Sequence, residues 1–136
     1  MDVKFDEEAI KLITLFESFT GSLIKDCIID EGGNTIYMIV EEGKLGIAIG
    51  KNGKNIKTVE KIVKKNIKLF EFSPDITVFT RGVIPQANRI DLMGDKLEVW
   101  VDKKHRGIVI GRERKNLNLL KKIFKRNFGI KDLVIR

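Results

Sequence analysis

The sequence predicts an α+β fold made of two tandem copies of one small unit, spanning residues 1–72 and 73–136. Strand-like apolar stretches alternate with amphipathic helices, glycine-rich turns separate them, and the pattern recurs at an offset of 61 residues. Each copy has the order helix, strand, strand, helix, helix, strand. We expect each to form a small three-stranded sheet with its helices packed on one face.

The elements of the first copy follow from periodicity and from residues that begin or end helices. Asp6 is a good N-cap for the first helix, which ends at Thr20 and Gly21. Strands over 23–30 and 35–40 should pair as a hairpin. The remaining elements are a short helix over 45–49, a glycine turn, a lysine-rich helix to about residue 65 and an edge strand over 67–72.

Matching residues around a second glycine turn define the second copy. The matched pairs include Gly46 with Gly107, Gly50 with Gly111, Lys54 with Lys115 and Asn55 with Asn116. Gly53, however, is replaced by Arg114, so the second turn lacks its second glycine. Strands are predicted over 88–93, 96–101 and 130–136.

The stretch that opens the second copy carries conflicting signals. Ser73 and Pro74 suit an N-cap and a first helical position, whereas the β-branched run over 76–80 favours a strand. Because the repeat requires a helix here, we predict one that runs to about Arg81 and ends before Pro85.

The first glycine turn is the most informative feature for function. Gly50 and Gly53 bracket Lys51 and Asn52, and glycine permits positive φ and close approach of another backbone. The helix that begins at Lys54 would direct free N–H groups and the positive end of its dipole at the turn. This arrangement favours binding of a phosphate.

Charge and composition indicate an acidic partner. The net charge is +7 and the isoelectric point is about 9.5. The charge is unevenly spread, because 103–126 holds ten Lys or Arg residues and one acid, while 1–30 holds seven acids and three lysines.

Cys27 is the single cysteine and should be a small buried hydrophobe in a reducing cytosol. The sequence shows no membrane-spanning segment, so we expect a cytoplasmic protein.

Little in the sequence supports catalysis. A Walker A phosphate loop would need a glycine where Leu45 stands. His105 and Cys27 lie in different copies, and no His, Cys or acidic cluster has the spacing of metal ligands. We therefore predict no enzymatic activity, no cofactor and no metal.

The residues around the first turn resemble a known signature. The run Ile49-Gly50-Lys51-Asn52-Gly53-Lys54-Asn55-Ile56 is similar to the Ile-Gly-x-x-Gly-x-x-Ile signature of the KH domain, and the element order resembles its type II form. Two such units in tandem resemble the KH pair of the NusA transcription factors. The chain has no room for the polymerase-binding and S1 domains of bacterial NusA, so it is similar to the short archaeal NusA-like proteins.

The resemblance implies that each turn clamps the backbone of about four nucleotides while the bases lie in an apolar groove. In the first copy the implied RNA-binding residues are Gly50, Lys51, Asn52, Gly53, Lys54 and Lys57, with groove walls from Ile47, Ile49, Ile56 and the strand over 36–40. In the second copy they are Gly111, Arg112, Glu113, Arg114 and Lys115. Two alternatives stay open for Arg114: its side chain reaches a phosphate, or its Cβ prevents close approach of the RNA.

The same resemblance implies a non-catalytic, monomeric protein that binds single-stranded RNA and acts in transcription termination or antitermination. RNA polymerase or other transcription factors are the further partners implied. One alternative is a ribosome- or rRNA-associated KH protein, which would use the same loop. The other is a protein-interaction adaptor without specific RNA binding, which would present the acids of the first helix to a basic partner.

Overall fold

The helices and strands of the computed structural model, which describes residues 7–30, 32 and 34–136, follow the predicted α+β order. The chain divides into two units, one extending to Pro74 and the other running from Asp75 to Arg136. Each unit contains one three-stranded sheet.

The first unit has three α-helices and three strands among its described residues. They are α1 (Glu7–Thr20), β1 (Ile24–Ile29), β2 (Thr35–Val40), α2 (Leu45–Ile49), α3 (Lys54–Val63) and β3 (Asn66–Glu71), with a 3-10 turn at Lys51–Gly53. β1 pairs antiparallel with β2, and β2 pairs parallel with β3. A parallel pair requires a crossover connection, which here consists of α2, the 3-10 turn and α3. The β2-to-β3 connection therefore carries the predicted RNA-binding turn.

The core of the first unit lies between its helices and one face of the sheet. Successive strand residues point to opposite faces of a sheet. The alternate residues of β2 that point to the core face are fully buried. The cluster consists of Cys27, Ile36, Met38, Val40 and Ile67 from the sheet and Ala9, Phe16, Ala48 and Val59 from the helices. The predicted burial of Cys27 is confirmed.

The second unit repeats this order, with a shorter first helix and longer second and third helices. Its elements are α4 (Ile76–Val83), β4 (Ala87–Met93), β5 (Lys96–Val101), α5 (Lys103–Ile110), a 3-10 turn at Arg112–Arg114, α6 (Lys115–Phe128) and β6 (Asp132–Ile135). β5 is central, antiparallel to β4 and parallel to β6. In the core, the ring of Phe79 packs edge-on against that of Phe124, with centroids 5.6 Å apart.

Several predicted boundaries need correction. The stretch that opens the second unit is a helix, as the repeat requires, but its N-cap is Asp75 and not Ser73. The Asp75 carboxylate accepts hydrogen bonds from the backbone N–H groups of Thr77 at 2.9 Å and Val78 at 3.4 Å. The last strand is shorter than the predicted 130–136. The predicted cap Asp6 lies outside the described residues.

A charged cluster joins the last two strands of the second unit. The Glu98 side chain lies on β5, and its residue is only 6% exposed. Its carboxylate accepts a hydrogen bond from Nε of Arg136, and Nζ of Lys96 lies 3.5 Å from its other oxygen. The hydrogen bond from Arg136, assisted by the positive charges of Arg136 and Lys96, lowers the pKa of Glu98 below its ordinary value.

This cluster predicts part of the acid sensitivity of the fold. Because the pKa of Glu98 is lower in the folded state than in the unfolded one, its charge stabilises the fold at pH values above the ordinary pKa of a glutamate. The contribution is lost as the pH falls through the folded pKa. We therefore expect Glu98→Gln to lower stability near neutral pH and to reduce the loss on acidification, measured as urea midpoints at about pH 7 and about pH 3. A Glu42→Gln control removes an exposed carboxylate, and an equal change in both variants would contradict the prediction.

Candidate nucleic-acid interface

The turn between α2 and α3 requires a glycine at its first position. Gly50 has φ 77° and ψ 169°, a backbone conformation that is nearly exclusive to glycine. A Cβ atom added to Gly50 would lie 2.7 Å from Cγ of Asn55 and 2.9 Å from its backbone nitrogen. Conformation and space therefore exclude a side chain here without a shift of α3.

Asn55 fills the space next to Gly50 and links the two helices. Its side-chain Nδ2 donates a hydrogen bond of 2.8 Å to the carbonyl of Ile47 in α2. The carbonyl of Gly50 accepts a hydrogen bond of 3.1 Å from the backbone N–H of Gly53. Asn52 and Gly53, at φ 57° and 73°, complete a tight left-handed turn whose tip is in solvent.

The second unit has the same loop, although one of its glycines is missing. Gly111 has φ 78° and ψ 166°, and an added Cβ would lie 2.8 Å from Cβ of Asn116. Nδ2 of Asn116 donates a hydrogen bond of 2.7 Å to the carbonyl of Val109. Glu113 and Arg114 adopt φ 55° and 62°, close to the values of Asn52 and Gly53. Replacement of the second glycine therefore leaves the loop conformation unchanged.

Exposed cations surround the first loop. The side chains of Lys51, Asn52, Lys54 and Lys57 are all exposed. Nζ of Lys57 lies 3.4 Å from the carbonyl oxygen of Asn52, which places this lysine against the loop. The N-terminal end of α3 also faces the loop and contributes its partial positive charge. The site is built to attract an anion.

The second loop is also basic, but it carries an acid at its tip. Arg112, Glu113, Arg114 and Lys115 are all exposed. α6 begins at Lys115, so its N-terminal end faces this loop as α3 faces the first. The structure thus brings together the four residues predicted for this loop and the first lysine of the helix that follows it.

The predicted apolar residues do not all lie on one wall. Ile47 is 45% exposed and Ile49 is 37% exposed, while Ala48 between them is buried in the core. Successive helical residues are about 100° apart, so the two isoleucines flank the buried alanine on opposite sides. Cγ2 of Ile47 lies 3.9 Å from the position of a Cβ added to Gly21. Ile47 therefore lies near the end of α1, and Ile49 lies on the other side of α2.

The strand over 36–40 was predicted as a groove wall, and this prediction is wrong. Ile36, Met38 and Val40 are fully buried in the core because β2 is the central strand. The strand next to the helices is instead β3, which contacts both α2 and α3. β3 is an edge strand, and some of its backbone groups point away from the sheet. Its alternating pattern predicted an edge strand, but not that α2 and α3 pack beside it.

Among residues 7–30, 32 and 34–136, no cluster of three or more His, Cys, Asp or Glu side chains could hold a metal ion. Within the same described ranges, no helix has both the length and the apolar character needed to cross a bilayer.

The loop, the basic helix after it and the helix and strand order define an RNA-binding module. The KH domain family model matches residues 12–85, more than half of the chain. The chain therefore belongs to the KH domain family, whose glycine loops hold the backbone of single-stranded RNA.

Named relatives place the chain within this family. It is 32% identical over 141 residues to the probable transcription termination protein NusA of Methanococcus vannielii, with 99% of this chain and 80% of the relative covered. The protein of the same name from Methanocaldococcus jannaschii is 30% identical, with 98% and 75% covered. The crystal structure of APE1850 has a TM-score of 0.77 and 28% identity, covering 97% of this chain and 100% of that one. The resemblance to archaeal NusA-like proteins is confirmed.

The loop geometry predicts different effects of substitution at its two glycines. We expect Gly50→Ala to destabilise the first unit by about 2 kcal/mol or more, because the backbone is in a glycine-only conformation and the new Cβ overlaps Asn55. Gly53→Ala should cost about 1 kcal/mol, because it requires only a left-handed helical conformation and meets Lys57 no closer than 3.5 Å. Urea unfolding of both variants measures the difference. An equal or reversed order would show that Asn55 does not constrain the turn.

Proposed function

We propose that the chain binds single-stranded RNA without catalysis, through both glycine loops, and acts in transcription termination or antitermination. The observation that carries the proposal is the recurrence of one loop conformation in two units, each time at the start of a basic helix. Membership of the KH family and the names of the relatives support the RNA and transcription parts. We further propose that each unit is one KH domain, as the predicted boundaries at 1–72 and 73–136 imply.

In the first unit the loop residues would hold phosphates and the neighbouring surface would hold bases. Lys51, Lys54 and Lys57 are positioned to neutralise phosphates, and the backbone of Gly50 and Gly53 permits close approach of the chain. The side chains of Ile49 and Ile56 stand beside the loop, and the open edge of β3 supplies hydrogen-bonding groups. The proposed interface therefore lies along α2, α3 and β3 rather than along β2.

In the second unit the proposed contacts are made by Gly111, Arg112, Glu113, Arg114 and Lys115. The unchanged backbone conformation favours binding there as well. The two roles proposed for Arg114 have opposite effects on RNA affinity. A contact between its side chain and a phosphate would strengthen binding, whereas obstruction by its Cβ would weaken it. Arg114→Gly removes both, and its effect on affinity identifies the stronger one.

RNA polymerase is the protein partner proposed with this function, and the cytoplasm is the proposed location. A ribosomal role would use the same loops on a different RNA. Association with polymerase or with ribosomal particles, measured with the full chain at its natural abundance, distinguishes the two. Stable recovery with ribosomal particles and none with polymerase would replace the transcription proposal.

The RNA proposal predicts a loop-specific loss of affinity. We expect Lys51→Asp with Asn52→Asp to weaken binding of a short unstructured RNA by about tenfold or more, because the change places negative charge against phosphates. The slope of log affinity against log salt concentration should become shallower by about 0.7 for each phosphate contact that is lost. The matched control is Lys11→Asp with Ser18→Asp, which changes the net charge equally at two exposed positions of α1.

Titration at two salt concentrations compares the two variants with the native chain. An equal loss in both would show that binding follows net charge and not the loop, and would favour the adaptor alternative. The corresponding variant of the second loop, Arg112→Asp with Glu113→Asp, ranks that loop against the first.

A further inference from the structure

A second basic feature lies beyond the loop, on the outer side of α3. A shallow groove runs between α3, with the two residues that follow it, and the N-terminal ends of β2 and β3. We call it the lysine groove, and it is lined by Asn34, Lys57, Glu60, Lys61, Lys64, Lys65 and Asn66. Lys57, Glu60 and Lys61 lie on α3, Lys64 and Lys65 follow this helix, Asn34 precedes β2 and Asn66 begins β3.

The acids near the lysine groove leave three of its lysines unneutralised. Oε2 of Glu60 accepts a hydrogen bond of 2.8 Å from the backbone N–H of Ile67. Nζ of Lys65 lies 3.9 Å from a carboxylate oxygen of Glu8. Among the described residues, Lys57, Lys61 and Lys64 form no ion pair. The repeated three- and four-residue spacing of these lysines brings like charges together on one helix face.

The conformation of Lys64 adds to the cost of this arrangement. Lys64 ends α3 in the left-handed region, with φ 58° and ψ 38°. Glycine or asparagine is the usual residue at such a helix end, because a Cβ is strained there. A lysine at this position therefore reduces stability while it contributes charge to the groove.

We propose that the RNA strand held by the first loop continues along the lysine groove, which binds its backbone phosphates. This inference rests on the proposed RNA-binding function and extends its site. Two observations favour RNA as the occupant. The groove is continuous with the loop, because Lys57 lines the groove and its Nζ lies 3.4 Å from the carbonyl oxygen of Asn52. The unneutralised lysines also complement a polyanion, and the ten residues of α3 extend this charge about 15 Å from the loop.

The corresponding positions of the second unit differ from the lysine groove in some of their residues. At the repeat offset, Asn34 corresponds to Asp95 and Lys57 to Asn118. Asp95 forms an ion pair of 3.7 Å with Lys131. α6 also continues to Phe128, whereas α3 ends at Val63. The equivalents of the two central lysines, Lys122 and Lys125, are exposed but lie on an uninterrupted helix, so they provide a matched control.

The test compares RNA of two lengths. The first RNA is unstructured and about four nucleotides long, the length that a KH loop holds. The affinity of the double variant Lys61→Ala with Lys64→Ala for this RNA should lie within about twofold of the affinity of the native chain. An RNA about twice as long should bind the native chain more tightly. For this longer RNA the double variant should lose about tenfold in affinity and about 1.4 in salt slope, since each single-strand phosphate contact contributes about 0.7.

Control variants separate the possible failures. Lys122→Ala with Lys125→Ala should leave both affinities within about twofold, and an equal loss in this control would overturn the inference. No gain in affinity with the longer RNA would overturn it as well. If Lys51→Asp with Asn52→Asp still binds the short RNA normally, the proposed function fails and the inference fails with it.

The variant Lys64→Gly distinguishes loss of a contact from loss of the fold. Glycine relieves the left-handed strain at this helix end, so the melting temperature should rise while the affinity for the longer RNA falls. A variant that is more stable and binds the longer RNA as tightly as the native chain would overturn the role of Lys64.

Discussion

The geometry of both loops depends on the contact between a glycine and an asparagine side chain. At Gly50 and Gly111 the backbone adopts a conformation that glycine alone tolerates, and the following helix occupies the space of a Cβ. Asn55 and Asn116 also donate hydrogen bonds to carbonyls of the preceding helix. One short contact therefore fixes the turn, holds the two helices together and leaves the next residues in solvent, where RNA can reach them.

The second glycine of the signature has a different role, because its conformation is accessible to other residues. Gly53 and Arg114 have φ 73° and 62°, and the backbone hydrogen bond that closes each turn is 3.1 Å long in both. An arginine there costs about 1 kcal/mol of strain but does not change the path of the chain. The first glycine is required for the fold of the loop, whereas the second can be replaced without a change in the loop conformation. The two loops thus share a conformation and differ in the surface that they present.

Local patterns predicted the element order, the repeat and the loops, because periodicity, turn residues and spacing are all encoded within short stretches. They could not identify Asp75 as the cap of α4, since Ser73 and Pro74 offered an equally good local signal. They also placed the strand over 36–40 in the groove. Which strand becomes central and which stays at the edge depends on pairing between distant segments. The parallel pairing of β2 with β3 buries β2 and leaves β3 beside the helices, and no local pattern determines that outcome.

The basic surface of the first unit results from where its carboxylates point as well as from its lysines. The side chains of Glu17, Glu60 and Glu71 each accept a hydrogen bond from a backbone N–H, at 2.7, 2.8 and 2.9 Å. Each bond ties the end of one element to the start of another, so these acids stabilise the fold at positions set by the backbone. Among the described residues, none of these three carboxylates forms an ion pair with a lysine of α3. The lysines around the loop therefore remain free of these three partners, although residues 1–74 hold 12 acids against 11 lysines.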